Sequence, residues 1–424
     1  MKVLLVLLDG IADRSQATLG GTTPLQAAAL PNLDMLTGSA ACGHVYPLGP
    51  GVCPSLDLSR WHQLGYGARP YPGRAAIDAL GAGVVLDPDD VVVHVSLAAT
   101  MIDAGERYVQ ASPAKLPDNQ AAEIASALAA YIPEHFPATV HHLGGPFMAL
   151  VLRGGANPLV SDSDPVFFRN PVPGIVAIDG APEAASLTAR ECERFSRWAA
   201  ETITGHPVIR RREADGMTSP NYVLMKWASI PPDVPTMREE WGFTGALVSD
   251  DVFHAGLACA LGMTFIDEHA PDVADDLGAK LAAALDCLRE EQDLAVIGWA
   301  AAAEASHSGK PDRKVRVCEE MDQAFEPFTR TMLCEPDLLT VITAGYAAPS
   351  GGSDEVLNSG DSVPVIALGG NARVDGVDAF DEVSCATGSL GCLRASDCMP
   401  LLLNISDRAR MGSMRVGHRD LPYR

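Results

Sequence analysis

The sequence lacks a long apolar run and any segment with the features of a cleaved secretion signal. A membrane-spanning helix needs about 20 consecutive apolar residues, and the first apolar stretch, Val3–Leu8, already ends at Asp9. Because no cleavage region follows, we interpret Val3–Leu8 as a buried core strand. These absences predict a cytoplasmic protein that does not contact a membrane.

The sequence is also poor in positive charge. Lysine and arginine number 31 against 54 aspartates and glutamates, which gives a formal net charge of −23 over 424 residues. Such an excess of negative charge argues against binding to nucleic acid or to an anionic membrane. The acidic residues are spread along the chain, which is typical of a solvated acidic surface.

Cysteine spacing excludes two further classes of protein. The ten cysteines form no CxxC pair and show no zinc-type spacing. In a chain of this length without a secretion signal, reduced and mostly buried thiols are the expectation.

Short apolar stretches alternate with alanine-rich stretches of helical periodicity. This alternation predicts an α/β fold with a mostly parallel sheet and helices on both faces. The predicted strands are Val3–Leu8, Ala246–Val248, Leu294–Ile297, Leu338–Ile342 and Val363–Leu368, and the predicted helices are Thr23–Leu36, Asp272–Glu290 and Lys314–Thr331.

The middle third of the chain has a different character. It contains several Pro/Gly-rich turns, short strands at Met148–Leu152 and Tyr222–Met225, and a helix at Asn119–Tyr131. We therefore expect residues 108–235 to form an inserted α+β cap domain. Residues 1–107 and 236–424 would form a discontinuous core domain.

Several segments, in order along nearly the whole chain, carry a resemblance to one known family. They include LLDGIADR (Leu7–Arg14), the segment Gly20–Leu36, the segment Gly49–Tyr66 and GRAAIDALGAG (Gly73–Gly83). The chain resembles the archaeal-type cofactor-independent phosphoglycerate mutases of the alkaline phosphatase superfamily. The resemblance implies a phosphatase-like core with an inserted cap, a serine nucleophile and two divalent metal ions, usually manganese, which would activate that serine.

The positions that the resemblance assigns to metal ligands are mostly changed. Asp9 and His307 are kept. The aspartate expected four residues before His307 is Ala303, an expected Asp-His pair is Gly345–Tyr346, and the last expected histidine is Asn358. One carboxylate and one imidazole are too few donors for two divalent ions. A lone histidine such as His307 is more often a core or surface residue than a ligand.

The nucleophile segment is changed as well. The family pattern is Pro-Gly-x-x-x-Gly-Ser-Asp-x-x-His, and the corresponding segment here is Pro50–Arg60. Leu56 stands at the serine position, Ser55 lies one residue earlier, and Asp57 is kept. Ser55 and Asp57 are therefore the remaining catalytic candidates, although Ser55 would lack metals to activate it.

The substrate side keeps some basic residues. Arg210, Arg211, Arg212, Asn221 and Lys226 match the family and are candidates for binding a carboxylate or phosphate. The arginine run is equally compatible with a solvated basic edge. Two further family motifs are lost: Gly-His-Arg becomes Gly145-Pro146-Phe147, and Asp-Pro-His becomes Asp164-Pro165-Val166.

Three functional hypotheses follow from these residues. The chain is a pseudoenzyme, a metal-free enzyme or binding protein for a small anionic metabolite, or an active mutase or phosphohydrolase whose lost ligands are replaced by acids such as Glu304 or Asp354. The changed residues favour the first two, for which no cofactor is expected; the third would require Mn²⁺ or another divalent metal. A protein partner and self-association are both compatible with the first two hypotheses.

Overall fold

The computed structural model describes residues 1–165, 170–351 and 357–409. Within these residues the chain forms two compact units. The first unit comprises Met1–Tyr71, Pro235–His254 and Leu261–Arg424, and the second comprises Pro72–Val234 and Ala255–Ala260. The predicted boundary at residue 107 thus lies inside the second unit, because the strand Val91–Asp103 pairs with later strands of that unit.

Strands and helices alternate over much of the chain. The strands are β1 (Lys2–Leu8), β2 (Ala40–Tyr46), β3 (Val91–Asp103), β4 (Glu106–Ala111), β5 (Ala138–Gly144), β6 (Phe147–Leu152), β7 (Tyr222–Ser229), β8 (Gly245–Ser249), β9 (Thr264–Asp267), β10 (Leu294–Trp299), β11 (Leu338–Thr343), β12 (Val363–Leu368) and β13 (Gly391–Arg394). The helices are α1 (Pro24–Ala27), α2 (Pro31–Thr37), α3 (Leu56–Gln63), α4 (Arg74–Gly81), α5 (Asp118–Leu128), α6 (Glu183–Gly205), α7 (Pro207–Ala214), α8 (Met237–Trp241), α9 (Val252–Ala260), α10 (Val273–Glu290), α11 (Ala301–Ser306), α12 (Pro311–Cys334), α13 (Glu382–Cys385) and α14 (Cys398–Ile405), with 3₁₀ turns at Ala17–Leu19 and Ala395–Asp397.

The first unit is built on an eight-stranded sheet with the order β13-β2-β12-β11-β1-β10-β8-β9. β1 lies near its centre and pairs in parallel with β10 and β11. Its residues Val3–Leu8 are all fully buried, which explains the continuous apolar run of a strand covered on both faces. Only β12 runs antiparallel to its neighbours, so the predicted mostly parallel α/β fold is confirmed.

The prediction of one helix over Thr23–Leu36 is wrong, because the segment forms two helices. Thr23 does cap a helix, because its side chain accepts from the backbone N–H of Gln26 in a capping box. That helix, α1, ends at Ala27, and a second helix begins at Pro31. Proline has no N–H to donate and disfavours helical geometry in the residue before it, so the chain forms two short helices.

The second unit contains a five-stranded antiparallel sheet in which β3 pairs with β4, β6 and β7, and β6 also pairs with β5. Successive residues of β3 alternate between its two faces. Val93, Val95 and Leu97 belong to a core that includes residues of α5 and α6. Val92 packs instead with alanines of α4, and His94 lies on the same face as Val92.

None of the helices in the described ranges is both long and apolar enough to cross a bilayer.

Candidate functional site

The C-terminal ends of the central parallel strands carry Asp9 and two of the changed ligand positions, Gly345 and Tyr346. Asp9 follows β1, Gly345 and Tyr346 lie shortly after β11, and Ser249 ends β8. Ligands of open α/β sheets bind at this edge. The candidate site is therefore the set of side chains at these strand ends, together with α3.

The carboxylate of Asp9 is buried, with 1% of its surface exposed, and both of its oxygens are bonded within the protein. Oδ1 accepts the backbone N–H of Gly345 at 2.8 Å, and Oδ2 accepts from the Arg60 guanidinium at 2.6 Å. Burial raises the pKa of Asp9, while the positive charge of Arg60 and the Gly345 N–H act against that rise. Asp9 thus forms a closed, charge-assisted pair.

Arg60 lies on α3 and is completely buried. Its Nε donates to Nε2 of His254 at 3.1 Å, and a second guanidinium nitrogen donates to Oε1 of Gln63 at 2.8 Å. The Gln63 amide in turn donates to the carbonyl of Ala344 at 2.7 Å. The guanidinium therefore has a separate acceptor for each of its three nitrogens.

His254 completes this network as a neutral imidazole. Its Nε2 accepts from Arg60, so the ring proton belongs on Nδ1, which lies 3.1 Å from Oγ of Ser249. We call the bonded set of Asp9, Arg60, Gln63 and His254 the Arg60 network. Sequence reasoning missed Arg60 and His254 as members of this edge. For Arg60 a signal existed, because it stands where the family pattern has histidine.

Three of the changed ligand and nucleophile positions do meet, but as apolar contacts. Ala303, Tyr346 and Ala348 are buried and form a cluster against which Leu56 packs. We call these four residues the apolar cluster. Three positions that are far apart in the sequence, 56, 303 and 346, are thus in contact in the fold. None of them offers a carboxylate or an imidazole, and the hydroxyl among them is the phenol of Tyr346.

Gly345 explains how Asp9 can be held so closely. A Cβ atom at this position would overlap Oδ1 of Asp9 and would also approach Oγ of Ser59. The hydroxyl of Ser59 donates to the Gly345 carbonyl. The volume that a side chain at 345 would need is thus filled by two neighbouring polar groups.

A second buried cation, Lys314 on α12, pairs with Asp13, which stands four residues after Asp9. The fully buried Lys314 donates through Nζ to Oδ2 of Asp13 at 3.1 Å and to the carbonyls of Ala12 and Ala348 at 3.0 and 2.7 Å. Burial lowers the pKa of Lys314, and the Asp13 carboxylate opposes that change. Both aspartates of the LLDGIADR segment therefore have a protein cation as their counter-charge.

The other predicted site residues lie around this edge without joining the Arg60 network. Ser55 is exposed and precedes α3, and Asp57 is buried in the first turn of that helix. His307 is exposed just after α11. Asn358 donates to the Pro54 carbonyl at 3.0 Å. The catalytic roles of Ser55 and Asp57 stay predictions.

Cys53, in the same loop, is not an activated thiol. Its sulfur donates to the carbonyl of Asn358 at 3.2 Å, and partial burial raises its pKa. A thiolate nucleophile would need a nearby cation or helix N-terminus to lower that pKa.

Comparison with known proteins identifies the family. A family model described as 2,3-bisphosphoglycerate-independent phosphoglycerate mutase matches residues 38–209. Proteins of that name from Methanocorpusculum labreanum and Methanopyrus kandleri are 31% and 32% identical to the chain, over 96% of it and over 98% and 97% of themselves. The chain belongs to the 2,3-bisphosphoglycerate-independent phosphoglycerate mutase family. The resemblance drawn from the sequence is thus confirmed.

Solved structures agree with this family. A cofactor-independent phosphoglycerate mutase from Thermoplasma acidophilum has a TM-score of 0.64 at 26% identity and covers 96% of this chain and 100% of its own. A Pyrococcus horikoshii protein has a TM-score of 0.79 at 24% identity, over 97% of this chain and 99% of its own, and shows the same fold.

The two divalent metals that the family resemblance implies do not fit these residues. Asp9 already has a guanidinium at bonding distance, and a further cation beside Arg60 would meet like charge. Among the other positions expected to supply donors, Ala303 and Tyr346 belong to the apolar cluster and Gly345 has no side chain. His307 is exposed, and the amide of Asn358 donates to the Pro54 carbonyl. Hard and borderline cations need several oxygen or nitrogen donors.

Within residues 1–165, 170–351 and 357–409, Asp9 does not belong to a group of three or more carboxylate, histidine or cysteine side chains placed to hold a metal ion. Glu304 is exposed on α11, and Asp354 lies outside the described residues. Asp250, His269 and Asp276 place ligand atoms within 4.8 Å of one another. However, Nζ of Lys280 donates to both Asp276 oxygens at 2.6 and 2.7 Å and lies 3.3 Å from Asp250. A protein cation therefore already neutralises this acidic group.

The predicted substrate residues of the second unit do not form one cluster. Arg210 and Arg211 are exposed on α7, whereas Arg212 donates to Oε1 of Gln120 at 3.2 Å. Arg211 and Arg212 both line a surface depression beside α5 that also includes Gln120. Their role as anion ligands stays a prediction.

Asn221 and Lys226 have bonded partners on their own unit. The Asn221 amide accepts from the backbone N–H of Thr100 at 2.9 Å and donates to the Thr100 carbonyl at 2.8 Å. Lys226 pairs with Asp164 at 2.8 Å and lies 4.2 Å from the ring centre of Trp227. Val166, from the changed Asp-Pro-His motif, lies outside the described residues.

Proposed function

We propose that this member of the phosphoglycerate mutase family has lost metal-dependent phosphoryl transfer and acts as a pseudoenzyme or a metal-free protein that binds a small anionic metabolite. The single observation that carries the proposal is the state of Asp9. This carboxylate is buried and bonded to Arg60 and Gly345. A metal or substrate could reach it only by breaking the Arg60 network.

The chemistry of the surrounding residues supports the same proposal. Two-metal phosphoryl transfer needs cations that stabilise both the attacking and the leaving oxygen. The apolar cluster fills the positions where the resemblance expects the nucleophile and two of the ligands. Leu56 has no atom that could accept a phosphoryl group.

Metal content and mutase activity test this proposal directly. The purified chain is incubated with Mn²⁺, freed of unbound metal by gel filtration and analysed for metal. In parallel, the interconversion of 3- and 2-phosphoglycerate is measured with Mn²⁺ present. We expect metal well below one ion per chain and no interconversion above buffer.

Two variants serve as controls for the assay. Asp9→Ala should match the unmodified chain in metal content and in phosphoglycerate interconversion. Leu56→Ser should not restore activity, because Asp9 stays bonded to Arg60 and the side chains of Ala303 and Gly345 have no ligand atoms. Binding of about two Mn²⁺ per chain, with activity abolished by Asp9→Ala, would instead establish an active mutase with reassigned ligands.

Anion binding is the remaining part of the proposal. Arg211 is the exposed cation of the depression on the second unit, and Arg212 is held beside it by Gln120. Inorganic phosphate and 3-phosphoglycerate are the probes, and titration calorimetry measures their binding. We expect Arg211→Ala to weaken binding, while Arg238→Ala, a change on α8 of the first unit, does not. Equal binding by both variants would remove the depression as the site.

A further inference from the structure

We propose that the Arg60 guanidinium is a resident cation of the first unit and takes the place of a divalent metal as the fixed counter-charge of Asp9. The inference rests on the proposed loss of metal-dependent transfer. It adds how this sheet edge stays folded without a metal, and it makes Arg60 a positioning residue with no contact to substrate.

The Asp9–Arg60 pair balances two charges that are both buried. A carboxylate that loses its metal while it stays buried is left as an uncompensated anion, which strongly destabilises a fold. The side chains of Asp9 and Arg60 are 1% and 0% exposed, so water cannot solvate either charge. The guanidinium nitrogen at 2.6 Å supplies the missing positive charge. A neutral histidine, which the family pattern has at this position, could not do so.

The acceptors around Arg60 match the geometry of a guanidinium. A guanidinium is planar and directs its donors along fixed lines, whereas an ammonium is a point charge with rotating donors. Arg60 uses all three nitrogens, toward Asp9, Gln63 and His254 at 2.6, 2.8 and 3.1 Å. The acceptors come from the end of β1, from α3 and from α9. The site is therefore shaped for arginine in particular.

The partners of Arg60 connect α3 to the segment that follows β11. Asp9 accepts the Gly345 N–H, which joins the end of β1 to the segment after β11. Gln63 and Ser59, both on α3, donate to the carbonyls of Ala344 and Gly345 in that same segment. Arg60 is thus the charged centre through which α3 is attached to the sheet edge.

Thermal unfolding of the full chain provides the test. The midpoint for the unmodified chain should be the same in EDTA and in Mn²⁺. Arg60→Met should lower it by roughly 5–15 °C, because it removes the charge and leaves Asp9 buried. The matched control is Arg69→Met, which breaks an arginine–carboxylate pair of the same 2.6 Å length in the same unit, but with side chains 32% and 23% exposed. That control should lose no more than roughly 3 °C.

A double variant separates the charge of Arg60 from its packing. Asp9→Asn/Arg60→Met should unfold at a higher temperature than Arg60→Met alone, because the uncompensated anion is gone. The unfolding midpoint of Arg60→Lys should lie between those of Arg60→Met and the unmodified chain. If Arg60→Met does not fold, recovery of folded double variant supports the proposal, and failure of both variants contradicts it.

The two proposals fail in different ways. Stoichiometric Mn²⁺ in the unmodified chain, with a midpoint that falls in EDTA, overturns the loss of the metal site and this inference with it. A metal-free chain in which Arg60→Met unfolds no earlier than Arg69→Met overturns only the role of Arg60. If the effects of Asp9→Asn and Arg60→Met on the unfolding midpoint are additive, the role of Arg60 is likewise overturned.

Discussion

Two buried histidines, one in each unit, have opposite surroundings. His254 in the first unit has both ring nitrogens bonded, to Arg60 and to Ser249. His94 in the second unit is 4% exposed, and among the described residues neither of its ring nitrogens has a hydrogen bond of acceptable geometry. The nearest carboxylate oxygen, on Asp78, lies 3.3 Å from Nδ1.

The surroundings of His94 are mainly aromatic. The rings of Phe147 and Trp227 lie 5.3 and 5.1 Å from its own ring centre. Ser96, two residues further along β3, also has a buried hydroxyl without a partner in the described part of the chain. The comparison teaches that burial alone does not measure how much a polar group stabilises this protein. The hydrogen-bond partners of the group determine its contribution, because a buried polar group without a partner lowers the stability of the fold.

The largest effect is expected where a buried cation serves several acceptors. Lys314→Met should lower the free energy of unfolding by about 3–5 kcal/mol, because Asp13 loses its counter-charge and two backbone carbonyls lose their donor. Denaturant unfolding measures the change. Lys310→Met, at the exposed start of the same helix, is the control and should change stability little. Similar losses in both variants would contradict the prediction.

His254→Leu should have the next largest effect. It should lower the free energy of unfolding by about 2–3 kcal/mol, because the buried Arg60 guanidinium loses an acceptor. The same substitution at His94 is the matched comparison. Denaturant midpoints of the two variants, measured in one buffer, give the difference. Equal losses at the two histidines would show that packing, and not bonding, governs both positions.

Glu191→Gln tests whether the loss of stability depends on the hydrogen bonds of the altered group or on the unit in which it lies. This buried carboxylate of the second unit accepts from the Tyr131 hydroxyl and from the backbone N–H of His135 at 2.8 Å. We expect a loss of about 1–3 kcal/mol at pH 7. An effect as small as that of His94→Leu would mean that the second unit tolerates all such losses.

The pH dependence of that loss follows from the pKa of Glu191. Burial raises this pKa, but the hydrogen bonds together outweigh burial and lower it below the ordinary value of 4.5. The unfolded chain then binds the proton first as pH falls, so the stabilisation is complete above the ordinary pKa and is lost at lower pH. The difference between the unmodified chain and Glu191→Gln should shrink between neutral pH and the acid range.

The smallest effect is expected for His94→Leu, under about 1 kcal/mol at pH 8, because the lost ring contacts and the removed unbonded nitrogens act in opposite directions. Burial lowers the pKa of His94 from its ordinary value of 6.5. The unfolded state therefore takes up the proton first, and the unmodified chain loses stability as pH falls below that value. His94→Leu lacks this loss, so its relative stability should rise at acid pH.

Much of the fold could be predicted because its signals are local. The strand Val363–Leu368 has the predicted bounds, and the other predicted core strands differ from the observed ones by a few residues at their ends. A continuous apolar stretch indicates a strand buried on both faces. The inserted unit was harder to delimit, because β3 reads like a core strand and only its pairing shows where it belongs.

The site divides in a similar way. The family resemblance located Asp9, Leu56, Ala303 and Tyr346, and the last three do meet in the apolar cluster. The Arg60 network could not be predicted, because residues 9, 60 and 254 are far apart in sequence and their bonding depends on side-chain direction. Position 60 offered a signal, since a permanent cation stands where the family pattern has a histidine.

Gly345 has a consequence for how this protein could change over time. A side chain at 345 would overlap the Asp9 carboxylate in its present position. An aspartate could be placed there only if Asp9 turned away, which would leave Arg60 as a buried, unmatched charge. A carboxylate at 345 and the present Asp9–Arg60 pair therefore exclude each other. A change at 345 alone would lower stability, and only simultaneous changes at several of these positions could avoid that cost.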